Sequence, residues 1–143
     1  MNKNYLTFCV DSNICAVEIS KILEVVNFEK LTPIPCAQNY IEGMIYSRDQ
    51  GISVINLRKK FGLKEKQPDK NTKIVVMEVL KKSENGEEIP TLYGLACDQV
   101  LDVIFTDSEQ ILSNAKTSIP KEFIKSILKF QDKILFELDF KDL

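Results

Sequence analysis

The sequence predicts an all-β fold of two small barrels packed around a shared hydrophobic core. Many short apolar segments follow one another at even spacing, and no long helical pattern interrupts them. Residues 40–57 recur without a gap as residues 123–140, 83 positions on. A stretch with no apolar side chain, KEKQPDKNTK at 64–73, separates the two copies and reads as an exposed connection between halves. Halves of about 70 residues are marginal alone. They are therefore expected to bury a common face and to leave a groove between them.

Each element follows from local pattern. Tyr5, Leu6, Phe8 and Val10 form a first strand, Asp11-Ser12-Asn13 turns the chain, and Ile14, Ala16, Val17 and Ile19 return it. In ISKILEVVNFEKL, Ile19, Ile22, Leu23 and Val26 stand at helical spacing, but the β-branched content equally allows a bent strand. Pro33 and Pro35 then interrupt regular structure. Two apolar runs, 41–46 and 52–57, flank the polar tip Ser47-Arg48-Asp49-Gln50-Gly51 and predict a hairpin. LRKKFGL predicts a short helical turn that Gly62 can cap. Strands are expected over 74–80, 91–97 and 100–105, with Asn85-Gly86 turning a loop between the first two. TDSEQIL resembles a helix start capped by Ser108, and Pro120 opens a short helix or turn before the last hairpin.

In the repeat, Tyr40 meets Phe123, Gly43 meets Ser126, Ile45 meets Leu128, Asp49 meets Asp132, and Asn56 meets Asp139. The match includes turn positions as well as apolar ones, so shared β-periodicity alone does not account for it.

Composition narrows the chemistry. With 143 residues, 44% hydrophobic and 28% charged, the chain can bury a core without a metal or disulfide staple. There is no histidine. That removes Ser-His and Cys-His nucleophile pairs and histidine metal ligands, and leaves catalysis to carboxylates or lysines with strongly shifted pKa values. None of Cys9, Cys15, Cys36 and Cys97 sits in a CxxC pair, so neither a zinc site nor a redox motif is expected. Cys9, Cys15 and Cys97 stand in apolar strand contexts, where a reduced thiol behaves as a small hydrophobe. No catalytic residue, metal or cofactor is expected. A net charge of −2 argues against a dedicated nucleic-acid binder. No apolar run is long enough to span a membrane, and MNKNYLTFCV enters strand alternation at once rather than reading as a signal peptide, so a cytoplasmic protein is expected. The lysine-rich LRKKFGLKEK, with acids and no interleaved aromatics, reads as a solvated face.

Five segments, in order, resemble the CheW family, the coupling proteins of bacterial chemotaxis. YLTFCVDSNICAVEISKILEVV is similar to the family's opening strand pair and V-x-E-I element, and TPIPCAQNYIEGMI to its proline-led aromatic-Ile-x-Gly strand. ISVINLRKKFGL is similar to P-V-x-D-L-R-x-x-F, YGLACDQVLDVI to G-L-x-V-D-x-V-x-x-V, and KILFELDFKDL to the closing strand and helix. The resemblance covers essentially the whole chain, so residues 1–143 are expected to form a single CheW-like domain of two interleaved, five-stranded SH3-like barrels. It implies a non-catalytic adapter that couples methyl-accepting chemotaxis receptors to the regulatory domain of the histidine kinase CheA within receptor arrays, without inserting in the membrane.

The resemblance also implies site residues. Arg48 matches a family arginine that couples receptor and kinase, and a guanidinium suits a carboxylate or backbone acceptors on a partner helix; the alternative is an internal pair with Asp49. Ile22, Val25 and Val26 match the V-x-E-I element of the receptor groove, where an amphipathic helix needs apolar anchors, or else they are core. Glu24 matches its acid, to pair with Arg48 or stand in solvent. Val100 and Val103 match residues that affect kinase or receptor binding, with core burial the alternative, more so for Val103. Asp98 is expected to make structural hydrogen bonds at a strand turn, and Gly43 and Gly94 to mark bulges or close backbone approach. At the tip the family reads N-L-R-G, whereas this chain has Tyr46-Ser47-Arg48-Asp49. That change predicts a turn displaced toward Gln50-Gly51, with Asp49 partly neutralising Arg48. The other function considered is a small-barrel nucleic-acid module that stacks single-stranded bases, which the charge disfavours.

Overall fold

Strand alternation along the chain resolves into ten strands in a computed structural model that describes residues 2–107 and 115–140. The strands are β1 (Asn2–Val10), β2 (Asn13–Glu18), β3 (Ile22–Asn27), β4 (Ile41–Ser47), β5 (Gln50–Asn56), β6 (Lys73–Lys82), β7 (Glu88–Cys97), β8 (Gln99–Asp107), β9 (Ile124–Phe130) and β10 (Lys133–Leu138). One helical turn, α1 (Leu57–Lys60), and two 3-10 turns, Ile19–Lys21 and Lys121–Phe123, complete the described structure. ISKILEVVN is thus a 3-10 turn that bends into a strand. Ser108 and its helix start lie outside the described residues.

The strands form two five-stranded sheets, ordered β8-β1-β2-β10-β9 and β3-β6-β7-β5-β4. In both, the pairings run antiparallel, antiparallel, parallel, antiparallel from the first strand to the last. The second sheet uses five consecutive strands. The first uses the same order circularly permuted, β8-β9-β10 followed by β1-β2. This corrects the boundary drawn from the sequence: the 64–73 stretch is exposed, but it joins β5 to β6 inside the second sheet rather than linking two halves. A repeated hairpin marks the repeat but does not say which strands flank it, and here both chain ends serve one sheet.

Both faces of the central strands are buried, which is why they read as continuous apolar runs. In β6, Ile74 and Val76 point into the second sheet's own core with Ile52 and Val54, while Val75 and Met77 face a core common to both sheets. That common core joins Leu6, Phe8, Val17 and Phe136 of the first sheet to Ile55 and Leu95 of the second and to Leu57 of α1. The first sheet closes over a smaller cluster of Tyr5, Ala16, Ile104, Leu128 and Leu135. The architecture is all-β, two five-stranded units around a shared core. Each fully buried aliphatic side chain contributes roughly 1.5–3 kcal/mol, so the shared core is what makes the small units stable together.

The repeat extends to bond detail. The amide of Asn56 donates to the carbonyl of Tyr40 over 2.8 Å, and the equivalent amide of Asp139 donates to Phe123 over 2.7 Å. Glu42 and Lys125, 83 positions apart, occupy the same bulge, between Ile41 and Gly43 and between Ile124 and Ser126. Gly62 follows α1 at φ +74, and the side chain of Asn56 caps that helix by accepting from the amide of Lys59.

The tip of the β4–β5 hairpin departs from expectation. Ser47 pairs with Gln50, leaving the two-residue turn Arg48-Asp49 with φ +52 and +63. Two positive φ values in a two-residue loop match the right-handed twist of the flanking strands. Asp49 therefore takes the left-handed place of the family glycine, and the turn is not displaced toward Gln50-Gly51. Among the described residues, the side chains of Arg48 and Asp49 form neither an ion pair nor a hydrogen bond.

Candidate partner-binding site

Four of the apolar residues singled out in the sequence form two equivalent pairs. In β3, Ile22 lies opposite Met77 and Val25 opposite Val75. In β8, Val100 lies opposite Phe8 and Val103 opposite Leu6. All four opposing residues belong to the shared core. Between the members of each pair the edge strand carries a bulge, so residues three apart face the same side of the sheet. Ile22 and Val100 stay half-buried against the shared core, while Val25 is 40% exposed and Val103 58%. Core burial, the alternative weighed for Val103, is not what the chain adopts: Val103 is exposed on β8, the open edge of its sheet. At the β8 bulge the Thr7 hydroxyl donates to the Asp102 carbonyl over 2.7 Å, which satisfies a backbone group the bulge leaves unpaired.

Between the edge strands β3 and β4 lies an open depression of about 690 Å³, lined by Glu24, Val25, Val26 and Tyr46 among others. The Ser47 hydroxyl donates to the Glu24 carboxylate across it. Glu24 is thus neither paired with Arg48 nor freely solvated. Val26 is half-buried against Ile52, Val54, Ile74 and Val76, so it acts mainly as core. Arg48 is exposed at the adjoining tip.

Asp98 sits at the β7–β8 corner and binds three groups. Arg58 Nε donates to its carboxylate over 2.9 Å and Arg58 Nη2 over 2.7 Å, and the amide of Asp11 donates over 2.7 Å. Burial alone would raise the Asp98 pKa, but these hydrogen bonds and the Arg58 charge outweigh it and hold the carboxyl below its ordinary value. The network fastens α1 to the β1–β2 turn and the β7–β8 corner. Lys59 pairs with Glu42 and Glu65, and Lys60 lies 3.8 Å from the Tyr40 ring centre. LRKKFGLKEK is thus tied to the fold at 58–60, while Lys64, Glu65 and Lys66 form the solvated face expected.

Gly43 has φ +152, and a Cβ there would come within 2.8 Å of Leu31 Cβ and the Thr32 carbonyl oxygen. Thr32 and Met44 exchange backbone hydrogen bonds at that point, so a strap crosses β4 where only glycine fits. A Cβ on Gly94 would lie 2.7 Å from Ile74 Cγ2. Cys15 and Cys97 are buried and Cys36 exposed; burial pushes the Cys97 thiol up to about 12. Among the described residues no group of cysteine, aspartate and glutamate side chains is arranged to hold a metal ion. No helix among them is long and apolar enough to cross a membrane.

A depression of about 510 Å³ does lie between the sheets, walled by Leu23, Val79 and Leu80 on one side and Lys125, Leu138 and Phe140 on the other. None of the site residues expected from the sequence lines it. Three residues went unnoticed in the sequence: Arg58, hidden in a lysine cluster, and the exposed aromatics Tyr46 and Phe105, 70% and 58% accessible. Val103 was singled out by resemblance alone, and Phe105, two residues on along the same strand, matches no quoted motif.

The family model for the CheW-like domain matches residues 4–143. The chain belongs to the CheW-like domain family. Among relatives of this CheW-like chain, the chemotaxis protein CheW of Treponema pallidum is 27% identical over 140 residues, covering 96% of this chain and 79% of the relative. That of Thermotoga maritima is 26% identical over 135 residues, covering 94% and 82%. A solved structure, the scaffolding protein TtCheW from Thermoanaerobacter tengcongensis, superposes with a TM-score of 0.83 at 30% identity, over 99% of this chain and 86% of that one. The CheW-like chain keeps the fold along nearly its whole length at this low identity.

Proposed function

We propose that this chain, acting as one domain, is a non-catalytic adapter of chemotaxis signalling that couples receptor signalling tips to the regulatory domain of the histidine kinase CheA. The observation that carries this reading is the match to the CheW-like domain over residues 4–143, together with a fold shared along nearly its whole length with a scaffolding protein of that family. The pairing of Ile22 and Val25 with Val100 and Val103 supports it. Apolar side chains on exposed edge strands are suited to the apolar stripe of a partner helix. Glu24 and Val25 line the depression between β3 and β4 with Arg48 at the adjoining tip, Val26 supports it from below, and Asp98, Gly43 and Gly94 hold the frame. The adapter works in the cytoplasm and reaches the membrane only through its receptors. Isothermal titration of the folded chain with the regulatory domain of its cognate kinase, and separately with a receptor signalling-tip fragment, tests the assignment. Binding to both is expected; binding to neither overturns it.

A further inference from the structure

The β6–β7 hairpin outgrows its neighbours. β3 pairs with β6 only from Lys73 to Met77, and β5 pairs with β7 only from Tyr93 to Ala96. The hairpin ladder itself continues to Lys82 and Glu88. Residues 78–82 and 88–92 therefore form a two-stranded arm with a free edge on each side.

The two edges are not alike. The amide of Ser83 donates to the carbonyl of Glu87 over 2.8 Å, which makes the end of the arm a hydrogen-bonded position. Bonded and non-bonded positions alternate along an antiparallel pair, and this ladder runs to Met77 without a shift. The Glu78–Leu92, Leu80–Pro90 and Lys82–Glu88 positions are then the non-bonded ones. The backbone groups of Glu78, Leu80 and Lys82 thus point away from β7, toward the outer edge, and nothing among the described residues takes them up. On the β7 edge the outward-pointing residues include Pro90, which has no amide proton, so that edge is guarded. The β6 edge opens instead on the depression between the sheets, which Glu78, Val79 and Leu80 line.

The side chains along this open edge are self-complementary. Glu78, Leu80 and Lys82 share one face of the arm and are all exposed, Leu80 by 58%. We infer that the arm pairs with β6 of a second copy of this chain, antiparallel about a two-fold axis at Leu80. In that register Leu80 meets Leu80 of the other copy, and each Glu78 meets the other copy's Lys82. β3 closes the edge below Glu78, so the axis cannot move inward. Moving it outward to Lys81 sets that lysine against itself and Leu80 against Lys82. A lysine on a free edge ordinarily repels a second strand, but here Glu78 supplies the opposite charge at the matching place. Neither Glu78 nor Lys82 has an ion pair among the described residues, and Lys21, which lines the same depression, pairs with Glu18 at 3.8 Å.

Sedimentation velocity of the full chain, from about 10 μM to about 1 mM, tests the pairing, since so short a contact gives a weak dimer. Glu78→Lys and Lys82→Glu should each weaken self-association about tenfold, because each turns two attractive cross-strand contacts into repulsive ones. The double variant restores the match with the charges exchanged and should return to within about threefold of wild type. Leu80→Ser should weaken the dimer, whereas Ile89→Ser, 48% exposed on the opposite face of the arm, should not. All four positions are exposed, so thermal melts of the variants should stay near wild type. A wild type that stays monomeric throughout, a double variant no tighter than the single ones, or equal weakening by Ile89→Ser and Leu80→Ser overturns the inference. Self-association is read without any other protein present, so each of these results leaves the adapter reading standing.

Discussion

Arg48 and Asp98 show how differently two charged side chains can be used. Arg48 stands exposed with no partner among the described residues, so replacing it touches little of the fold. Arg48→Glu is expected to change stability by less than about 0.5 kcal/mol while reducing receptor-dependent kinase activation in a reconstituted assay; unfolding of that variant would instead make Arg48 structural. Asp98 is the reverse, with 17% of its side chain accessible against 13% for Arg58. Asp98→Ala should cost about 2 kcal/mol by urea denaturation, because it strands a largely buried guanidinium. Its pKa lies below the ordinary value in the folded chain. The stabilisation is therefore complete above about pH 4 and is lost as pH falls through the lower, folded value. Asp98→Asn should flatten that acid limb of the stability curve; an unchanged acid limb would show that other carboxylates set it. The sequence announced Asp98 as a corner residue but not Arg58, because a guanidinium that reaches a distant corner looks like any other member of a basic run.

At the scale of elements, the hairpin tip and the edge strands repay comparison. The turn at Arg48-Asp49 keeps the family's register although its glycine is gone, because the Ile45–Ile52 and Ser47–Gln50 pairs on either side fix the loop at two residues. Asp49 bears the cost of positive φ. Asp49→Gly should raise stability by about 0.5 kcal/mol, read from the urea midpoint, and a fall would mean the Asp49 side chain has a partner. Gly43→Ala should do the opposite and lower stability by roughly 2 kcal/mol, since both the backbone and the strap at Leu31-Thr32 resist a methyl group. Hairpin positions, the α1 cap and both repeat copies were legible from alternation and turn residues. The displacement of the turn was misjudged because residue preference was weighed without strand register. That Ile22 shares a face with Val25, and Val100 with Val103, was hidden for a similar reason: a bulge shifts the period by one, and nothing in V-L-D-V marks it.

For the whole molecule, the sequence gives the shared core and the kinship of the hairpins, but it cannot show that the kinship is permuted. Every half of the chain cut at 64–73 contributes strands to both sheets: β1 to β5 on one side, β6 to β10 on the other. A single proteolytic cut within that exposed connection should therefore leave two fragments that co-elute in gel filtration and keep the β-type circular dichroism of the intact chain. Separation of the fragments into independently folded pieces would contradict the interleaved topology.

The permuted order also sets a schedule for synthesis. The second sheet is built from consecutive strands and can assemble as soon as β7 has left the ribosome. The first cannot, because β1 and β2, made at the outset, wait for β8, β9 and β10, and such long-range pairings form slowly. Val100 and Val103, on β8, belong to that late sheet. An unfinished chain would thus carry Ile22 and Val25 in a folded sheet before their equivalents Val100 and Val103 had one.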